Sequence, residues 1–435
     1  MGVFLFSIKM LKKEYKKAMI YAFTMMFTIM ACFIFFNIMA NQLLASSEIV
    51  RGGHSWQETY VPITTMLAFL VIIFCCAMII FANHFFLSNK TKELAIMSTS
   101  GLNFLDLTLY IFYQTIIITV LVMPIGLLLG YLFSVLGHTI LYSNLNIEVS
   151  VFQVSIEAFV NTFFSIISMI FSVLLYSSGY IYRHDIQFML STQTVNNYED
   201  KRIFKLPKLF YIMLYFIGIV LMIFSEYSVG VFIFPCLIGI AAAGGVMSHV
   251  LPNIFSKLKQ KKFVSDKIWL ISISNLSYSL KKSITLVSLY SISSAVMSAL
   301  LVYQQGHLKD FLTIVIGYIV IIILLSVGIF YKYSSEIMDR QIFYYNLYKL
   351  GYVKKQIKKI ISKEVISYYG LIIFIPLIYI IIIVIRCCVH GNIGIFFGSI
   401  LIAVEMIPPI FVGVLTYHNY KNIVLKAIEG GIHYE

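Results

Sequence analysis

The chain has 435 residues, of which 60% are hydrophobic and 12% are charged, and its formal net charge is +13. Together with a mean hydropathy of +0.91, this composition is typical of a polytopic membrane protein. The positive charge is explained by basic loops that attract anionic lipid, and no basic platform with interleaved aromatic residues occurs, so nucleic-acid binding is not expected.

Ten apolar segments are long enough to cross a membrane, since a helix needs roughly 20 apolar residues to span the hydrocarbon core. Runs of this length favour helices over a β-barrel, whose strands are short and alternating. We therefore expect an all-α polytopic membrane protein with ten transmembrane helices. The predicted spans are 18–40, 61–85, 105–136, 154–181, 209–225, 229–253, 284–303, 311–332, 365–386 and 394–417.

Basic residues concentrate in alternate gaps between these segments. All of the 32 Lys and Arg residues except Arg51, Lys309 and Arg386 lie on the same side as the N-terminus. Positive charge is retained in the cytoplasm, so both termini are predicted to be cytoplasmic. The first apolar run is long enough to span and follows a basic stretch, which favours an anchor over a cleaved signal peptide.

The chain contains an internal repeat. Residues 7–18 (SIKMLKKEYKKA) and 272–283 (SISNLSYSLKKS) align at an offset of 265. Both segments precede a span and mix apolar with basic residues, as does an amphipathic helix lying in the membrane interface. The coincident pairs are Ser7/Ser272, Ile8/Ile273, Leu11/Leu276, Lys16/Lys281 and Lys17/Lys282.

A second correspondence lies between the second and third spans of each half. There NKTKELAIMSTSG ends at Gly101 and MDRQIFYYNLYKLG ends at Gly351. Phe343, Leu347 and Leu350 are spaced i, i+4 and i+7, which places them on one face of a helix. Gly351 is then suited to the C′ position, where positive φ is needed. Two helices in matching places favour a paired docking surface over ordinary connecting helices.

These repeats predict a four-plus-two-plus-four organisation. The predicted parts are a first four-helix half (1–190), an inserted hairpin with basic linkers (191–263) and a second four-helix half (264–435). Because an even number of spans separates the halves, they have the same orientation. Duplicated halves are common among transporters, in which the substrate path or moving interface lies between the repeats.

Motifs for catalysis or metal binding are missing from the sequence. GxxxxGK[ST], HExxH and GxSxG do not occur, and no span carries paired carboxylates. The six cysteines show neither CxxC nor a Cys/His metal spacing. The chain is therefore not expected to be an enzyme or to hold a cofactor or metal itself.

Glu405 is the exception to the apolar character of the last span, where it lies close to Pro408 and Pro409. An ionisable side chain at that depth is costly and is by default a functional-site hypothesis. The proline pair predicts a kink and freed backbone carbonyls nearby. The competing interpretation is a protonated or hydrogen-bonded interhelical contact.

Two segments resemble a known family. FLSNKTKELAIMSTSGLNFLDL resembles the segment after the second span of FtsX-like permeases. DRQIFYYNLYKLGYVKKQIKKIISKE resembles the late segment of bacitracin-export-type permeases, and the ten-span plan is similar over nearly the whole chain. The matching positions are Lys90, Lys92, Glu93 and Gly101 in the first segment and Asp339, Arg340, Tyr345, Leu347, Lys349, Leu350, Gly351, Lys354, Lys355, Ile357, Lys358, Lys359 and Glu364 in the second.

The resemblance implies the permease subunit of an ABC transporter in a bacterial plasma membrane. A separate ATPase, two copies per permease and holding ATP and Mg²⁺, would dock on short cytoplasmic helices around 90–100 and 339–350, including Met97 and Phe343. Such families act on peptide, amphiphilic or lipid-linked substrates, often as a defence against antimicrobial peptides. Their large extracellular domain follows the seventh span, where this chain has only YQQGHLKD at 303–310, so a sensor-kinase partner is not favoured.

Two alternatives of other classes remain open. One is a proton-coupled secondary carrier that uses Glu405, and the other is a non-transporting partner that transmits ATPase motion to an external effector. The carrier is weakened because we expect no other buried charges, and proton relays usually need more than one titratable group.

Overall fold

All the regular elements in the part of the chain described by the computed structural model are helices, as the composition predicts. That part comprises residues 3–41, 63–88, 90–145, 150–152, 154–183, 207–224, 235, 238–239, 242–261, 265–303, 308–389 and 394–430. The helices are α1 (Val3–Lys13), α2 (Tyr15–Met39), α3 (Ile63–Ser88), α4 (Thr91–Thr99), α5 (Phe104–Leu145), α6 (Ile156–Arg183), α7 (Lys208–Phe224), α8 (Leu251–Lys261), α9 (Lys267–Lys282), α10 (Ile284–Tyr303), α11 (Leu308–Lys349), α12 (Lys354–Val389) and α13 (Ile395–Gly430), with a π-helical turn at Val246–Val250.

Seven of these helices are long and apolar enough to cross a membrane, within the residues that the structure describes. An eighth is obtained if α9 and Thr285–Leu301, bent by 72° at their junction, are counted as one span. Helix α7, predicted as span 209–225, is a shorter apolar helix. Much of predicted span 229–253 lies outside the described residues. Ten spans and cytoplasmic termini therefore stay predictions.

Several helices extend past the predicted spans. Helix α5 continues to Leu145, α11 continues to Lys349, and α12 begins at Lys354. The hydropathy pattern marks only the apolar stretch that fits the bilayer. Polar residues continue the same helix beyond that stretch, because the backbone hydrogen bonding does not depend on their hydropathy.

Each half opens with a separate amphipathic helix, as the repeat predicts. These are α1 and α9, and each is followed by a long helix after a break of one residue, Glu14 or Ser283. The two buried serines of the repeat make the same contact. Ser7 Oγ donates to the carbonyl of Tyr110 in α5 (3.3 Å) and Ser272 Oγ to the carbonyl of Ile360 in α12 (3.2 Å). The two copies of the repeat are thus similar in structure as well as in sequence.

The chain forms two compact units. The first comprises Met1–Lys201 with His307–Leu324, and the second comprises Arg202–Gly306 with Leu325–Glu435. The second unit thus contains most of the predicted hairpin insert together with most of the second half. The division at 190 and 263 stays a prediction.

In the first unit, glycines on α5 allow close packing against α2. A Cβ built on Gly126 would lie 2.9 Å from Ile29, and one on Gly130 would lie 3.0 Å from Phe33. Small residues at such spacing let helix backbones approach closely in membranes. One helical turn further on, the Asn37 amide donates to Ser134 Oγ at 2.5 Å.

In the second unit, the hydroxyl groups of two tyrosines form hydrogen bonds between α7 and α12. The Tyr215 hydroxyl donates to the carbonyl of Ile375 at 2.9 Å, and the Tyr379 hydroxyl donates to the carbonyl of Tyr215 at 2.5 Å. A Cβ on Gly218 would lie only 2.7 Å from the Tyr379 hydroxyl. The insert therefore packs against the second half through a contact that requires glycine.

Candidate functional site: two glycine-capped helices and their buried ion pairs

The two glycines of the repeat end their helices in the same way. Gly101 and Gly351 both have a φ of +94°, a left-handed conformation that favours glycine. In each turn the glycine amide donates to the carbonyl three residues back, and the next amide donates to the carbonyl five residues back. This is the Schellman arrangement, so the predicted C′ position of Gly351 is confirmed.

The helices that follow the glycines also begin alike. The amide of Asn103 donates to the carboxylate of Asp106 at 3.3 Å, and the amide of Val353 donates to the side chain of Gln356 at 3.1 Å. In both contacts a backbone amide at the start of a helix donates to the side chain of the residue three positions later. Turn and cap therefore repeat together in the two halves.

The two glycine-capped helices differ in their connection to the preceding span. In the first half, α3 ends at Ser88 and the short helix α4 begins at Thr91. In the second half, no separate short helix forms, because the segment 339–349 is the uninterrupted end of α11. The expectation of two short helices is therefore correct for the first half and wrong for the second.

The predicted apolar stripe of Phe343, Leu347 and Leu350 is not uniformly exposed. Leu350 is 77% exposed and Phe343 is also exposed, but Leu347 is only 8% exposed. Met97, the equivalent of Leu347 in α4, is 6% exposed and packs in an apolar cluster of the first half. Leu347 and Met97 are thus wrong as surface contacts, since the side of the helix that carries them faces the protein.

The exposed apolar side chains near the glycines form what we call the tips. The first tip consists of Ile96, Phe104 and Leu105, and the second consists of Ile342, Phe343, Leu350 and Val353. Lys92, one of the predicted positions, is also exposed in α4. The side chain of Asp339, another predicted position, lies outside the described residues.

A buried carboxylate on α12 accepts hydrogen bonds from several side chains of the second half. Glu364, which is fully buried, accepts hydrogen bonds from Arg340 (2.6 Å) and Tyr333 (2.8 Å) on one oxygen. Its other oxygen accepts from Tyr344 and Asn275, each at 3.1 Å. A carboxylate offers about four lone-pair sites, so the four donors satisfy it.

A second ion pair adjoins this carboxylate. Lys332 lies 3.1 Å from Glu336 and donates to the carbonyl of Ser279 at 2.9 Å. Arg340 lies 3.6 Å from Glu336 and donates to Ser279 Oγ at 2.9 Å. Burial by itself lowers the pKa of Arg340, but the carboxylate of Glu364 raises that pKa well above its ordinary value. The cluster of Lys332, Glu336, Arg340 and Glu364 therefore combines two basic and two acidic side chains.

The first half has a smaller cluster around Lys90. The ammonium group lies 3.0 Å from Glu14 and 3.7 Å from Glu93. It also lies over the rings of Phe86 and Tyr110, 5.0 and 5.6 Å from their centroids. The Lys90 side chain is 2% exposed, whereas those of Glu14 and Glu93 are 16% and 21% exposed. The cation is buried, but its partners reach solvent.

Residues 65–186 match the family model of the FtsX-like permease C-terminal domain. The match supports a relationship between this chain and the FtsX-like permease superfamily. The match covers the first of the two predicted segments, which carries Lys90, Lys92, Glu93 and Gly101. Members of this superfamily are typically non-enzymatic membrane subunits of transporters and generally work with an ABC ATPase. No curated protein matches the chain.

The FtsX-like segment and the second half align on their glycines, and this alignment relates the two clusters. Lys90 lies as far before Gly101 as Arg340 lies before Gly351, so both halves carry a cation at this position. Three charged positions of the second half are uncharged in the FtsX-like half. Lys332, Glu336 and Glu364 correspond to Ala82, Phe86 and Gln114.

The expectation of no other buried charges is wrong. Lys332 and Glu364 are fully buried, and Glu336 is nearly so. These residues lie at the end of predicted span 311–332 or in the polar connection that leads to span 365–386, so hydropathy alone assigned them to solvent. Aligning the two halves on Gly101 and Gly351 is the sequence signal that could have singled them out.

Glu405, the predicted intramembrane site, is fully buried in α13. Helix α13 continues without interruption through Pro408 and Pro409. The Tyr290 hydroxyl donates to the backbone carbonyl of Glu405 at 3.1 Å. Among the described residues, no group of three or more His, Cys, Asp and Glu side chains could hold a metal ion.

Proposed function

We propose that this chain is the permease subunit of an ABC transporter that exports or extracts a peptide or an amphiphilic, lipid-linked substrate. A separate ATPase, two copies per permease, would supply ATP hydrolysis with Mg²⁺, and the site of action would be a bacterial plasma membrane. The observation that carries this proposal is the superfamily match combined with the exposed apolar tips on the glycine-capped helices.

The tips have the chemistry of a protein contact. Leu350 and Ile96 are 77% and 59% exposed at the ends of helices that carry lysines nearby. Clustered exposed apolar side chains beside polar ones mark partner surfaces. If the connections are cytoplasmic, as the charge pattern predicts, lipid does not cover them and an ATPase can.

An amphiphilic substrate suits the short connections of this chain. Helix α10 ends at Tyr303 and α11 begins at Leu308, which leaves no room there for a large substrate-binding domain. A substrate already dissolved in the membrane requires no such domain. Resistance to antimicrobial peptides is the role that we propose on this basis, by likeness to bacitracin-export-type permeases.

The direct experiment is co-expression with any ABC ATPase that is encoded beside this chain. We expect the two proteins to purify together, with two ATPase copies per permease, and to hydrolyse ATP. If no adjacent or co-expressed ABC ATPase binds the chain, the proposal fails. A complex that hydrolyses ATP but moves no amphiphile would instead support a non-transporting transmitter.

Cysteine labelling tests the predicted orientation. Ser143, at the end of α5, and Ser256, on α8, are both exposed, and the predicted topology places them on opposite sides of the membrane. In intact cells, Ser143→Cys should react with an impermeant maleimide and Ser256→Cys should react only after permeabilisation. Labelling of Ser256→Cys in intact cells would overturn the orientation with cytoplasmic termini.

The carrier alternative rests on Glu405 and is tested by Glu405→Gln. Glutamine keeps the volume and hydrogen-bonding groups but cannot titrate. Under the ABC proposal, transport by Glu405→Gln should stay within about twofold of wild type, because the energy comes from ATP. Lost transport with normal protein abundance in the membrane would favour a proton-coupled carrier.

A further inference from the structure

We infer that the two halves transmit ATPase movement unequally, with the end of α11 acting as a stiff lever and α4 as a compliant contact. Glu364 is the positioning residue that makes the lever stiff. The meaning of this difference for coupling rests on the proposed function, whereas the difference in stiffness is a property of the chain alone.

The first step is the continuity of the helices. Helix α11 runs unbroken to Lys349, and its part from Leu325 onward belongs to the second unit. In the first half Lys90 has a φ of −107° and a ψ of 2°, which is not helical, directly before α4 begins at Thr91. A continuous helix keeps its hydrogen-bonded backbone when one end is pushed. A break concentrates bending at a few residues.

The second step is the number of helices tied by one group. The Glu364 carboxylate on α12 receives Asn275 from α9 and Tyr333, Arg340 and Tyr344 from α11. Tyr420 of α13 in turn donates to the Tyr344 hydroxyl at 3.1 Å. Hydrogen bonds to charged groups are about twice as strong as neutral ones. Four helices are thus fixed at the level where α11 leaves its span.

The third step is that the position of the first half aligned with Glu364 carries no carboxylate. Gln114 stands in place of Glu364, and its neutral amide donates to the carbonyl of Ser7 at 3.4 Å. The two carboxylates that pair with Lys90 lie on the break between α1 and α2 and on α4 itself. Both are partly solvated, so their attraction is screened. The charged contacts that hold helix α4 are therefore weaker than those that hold the end of α11.

Hydrogen–deuterium exchange of the full-length chain in lipid nanodiscs, without ATPase, measures the difference. Local opening sets exchange rates, so we expect residues 341–349 to exchange more slowly than 92–99. Glu364→Gln should speed exchange of 341–349 about tenfold by weakening its charged hydrogen bonds, and 92–99 should be unaffected. Tyr344→Phe removes one donor, is milder, and should act in the same direction.

Tyr110→Phe is the matched control, because it removes the tyrosine hydroxyl that donates to Glu93 in the first half. It should leave exchange of 341–349 unchanged. Equal wild-type rates for the two segments would overturn the inference. The inference would also be overturned if neither Glu364→Gln nor Tyr344→Phe altered the exchange rate of residues 341–349.

The complex with the ATPase tests the lever role. Glu364→Gln should bind the ATPase as wild type does but lose at least half of the permease-dependent change in ATP hydrolysis rate. Unaltered hydrolysis at equal complex formation would overturn the lever role. If the wild-type chain binds no ATPase, the proposed function fails, whereas the exchange result still decides the difference in stiffness.

Discussion

Replacing Leu350 and Ile96 together with aspartate is expected to abolish capture of the ATPase while leaving the permease folded. Both side chains are exposed in the chain alone, so a carboxylate costs little there. In the proposed complex it would be buried without a partner, which weakens association by several kcal/mol, on the order of 100-fold or more. Co-purification and thermal unfolding of the purified permease are the measurements.

Two kinds of control distinguish surface from core. Leu258→Asp changes an exposed apolar residue of α8, outside both tips, and should leave capture intact. Leu347→Asp and Met97→Asp place a charge in buried positions and should lower the yield of folded protein instead. Undiminished capture by the Leu350→Asp/Ile96→Asp double variant would remove the tips from the interface.

Glu364→Leu is expected to destabilise the second half by about 3–5 kcal/mol, because it removes the shorter ion-pair contact of Arg340 and the acceptor of the buried Tyr333 and Tyr344 hydroxyls. The double variant Arg340→Leu/Glu364→Leu should recover part of that loss, since the remaining Lys332 and Glu336 charges balance. Denaturant-induced unfolding of the purified chain, followed through its tyrosine and tryptophan signal, gives the free energies of unfolding for a double-mutant cycle.

The exposed ion pair of Lys354 and Glu429 is the matched comparison. Its atoms are 2.8 Å apart, but the side chains are 43% and 61% exposed. Solvent screens such a pair, and holding two long side chains costs entropy. Lys354→Leu/Glu429→Leu should therefore unfold as wild type does. If the Arg340/Glu364 and Lys354/Glu429 double variants changed the free energy of unfolding equally, burial would not be the reason that the Glu364 ion pair stabilises the protein.

Features that depend on neighbours along the chain were predictable from the sequence. The Schellman turn at Gly351 follows from helical spacing and from the left-handed conformation that a C′ residue adopts. The helices α1 and α9 follow from a mixed apolar and basic pattern next to a long apolar run. Both kinds of evidence are local, and the structure bears them out.

The composition of the candidate site was predictable only in part. Sequence singled out Lys90 and Arg340 through a family resemblance and Leu347 through helical spacing. Spacing shows which residues share a helix face, but not which face the rest of the protein covers. That is why Leu347 and Met97 were assigned to the surface, although both are buried.

The sequence by itself determined that this protein is a helical membrane protein with a repeated, glycine-capped element, because hydropathy, charge and turn chemistry act over short stretches of chain. Only the tertiary structure decided that Glu364 meets Asn275, Tyr333, Arg340 and Tyr344. These residues come from three helices, and nothing in their local sequence specifies the meeting. A buried carboxylate is stable only where donors converge on it, and convergence is a property of the packed fold.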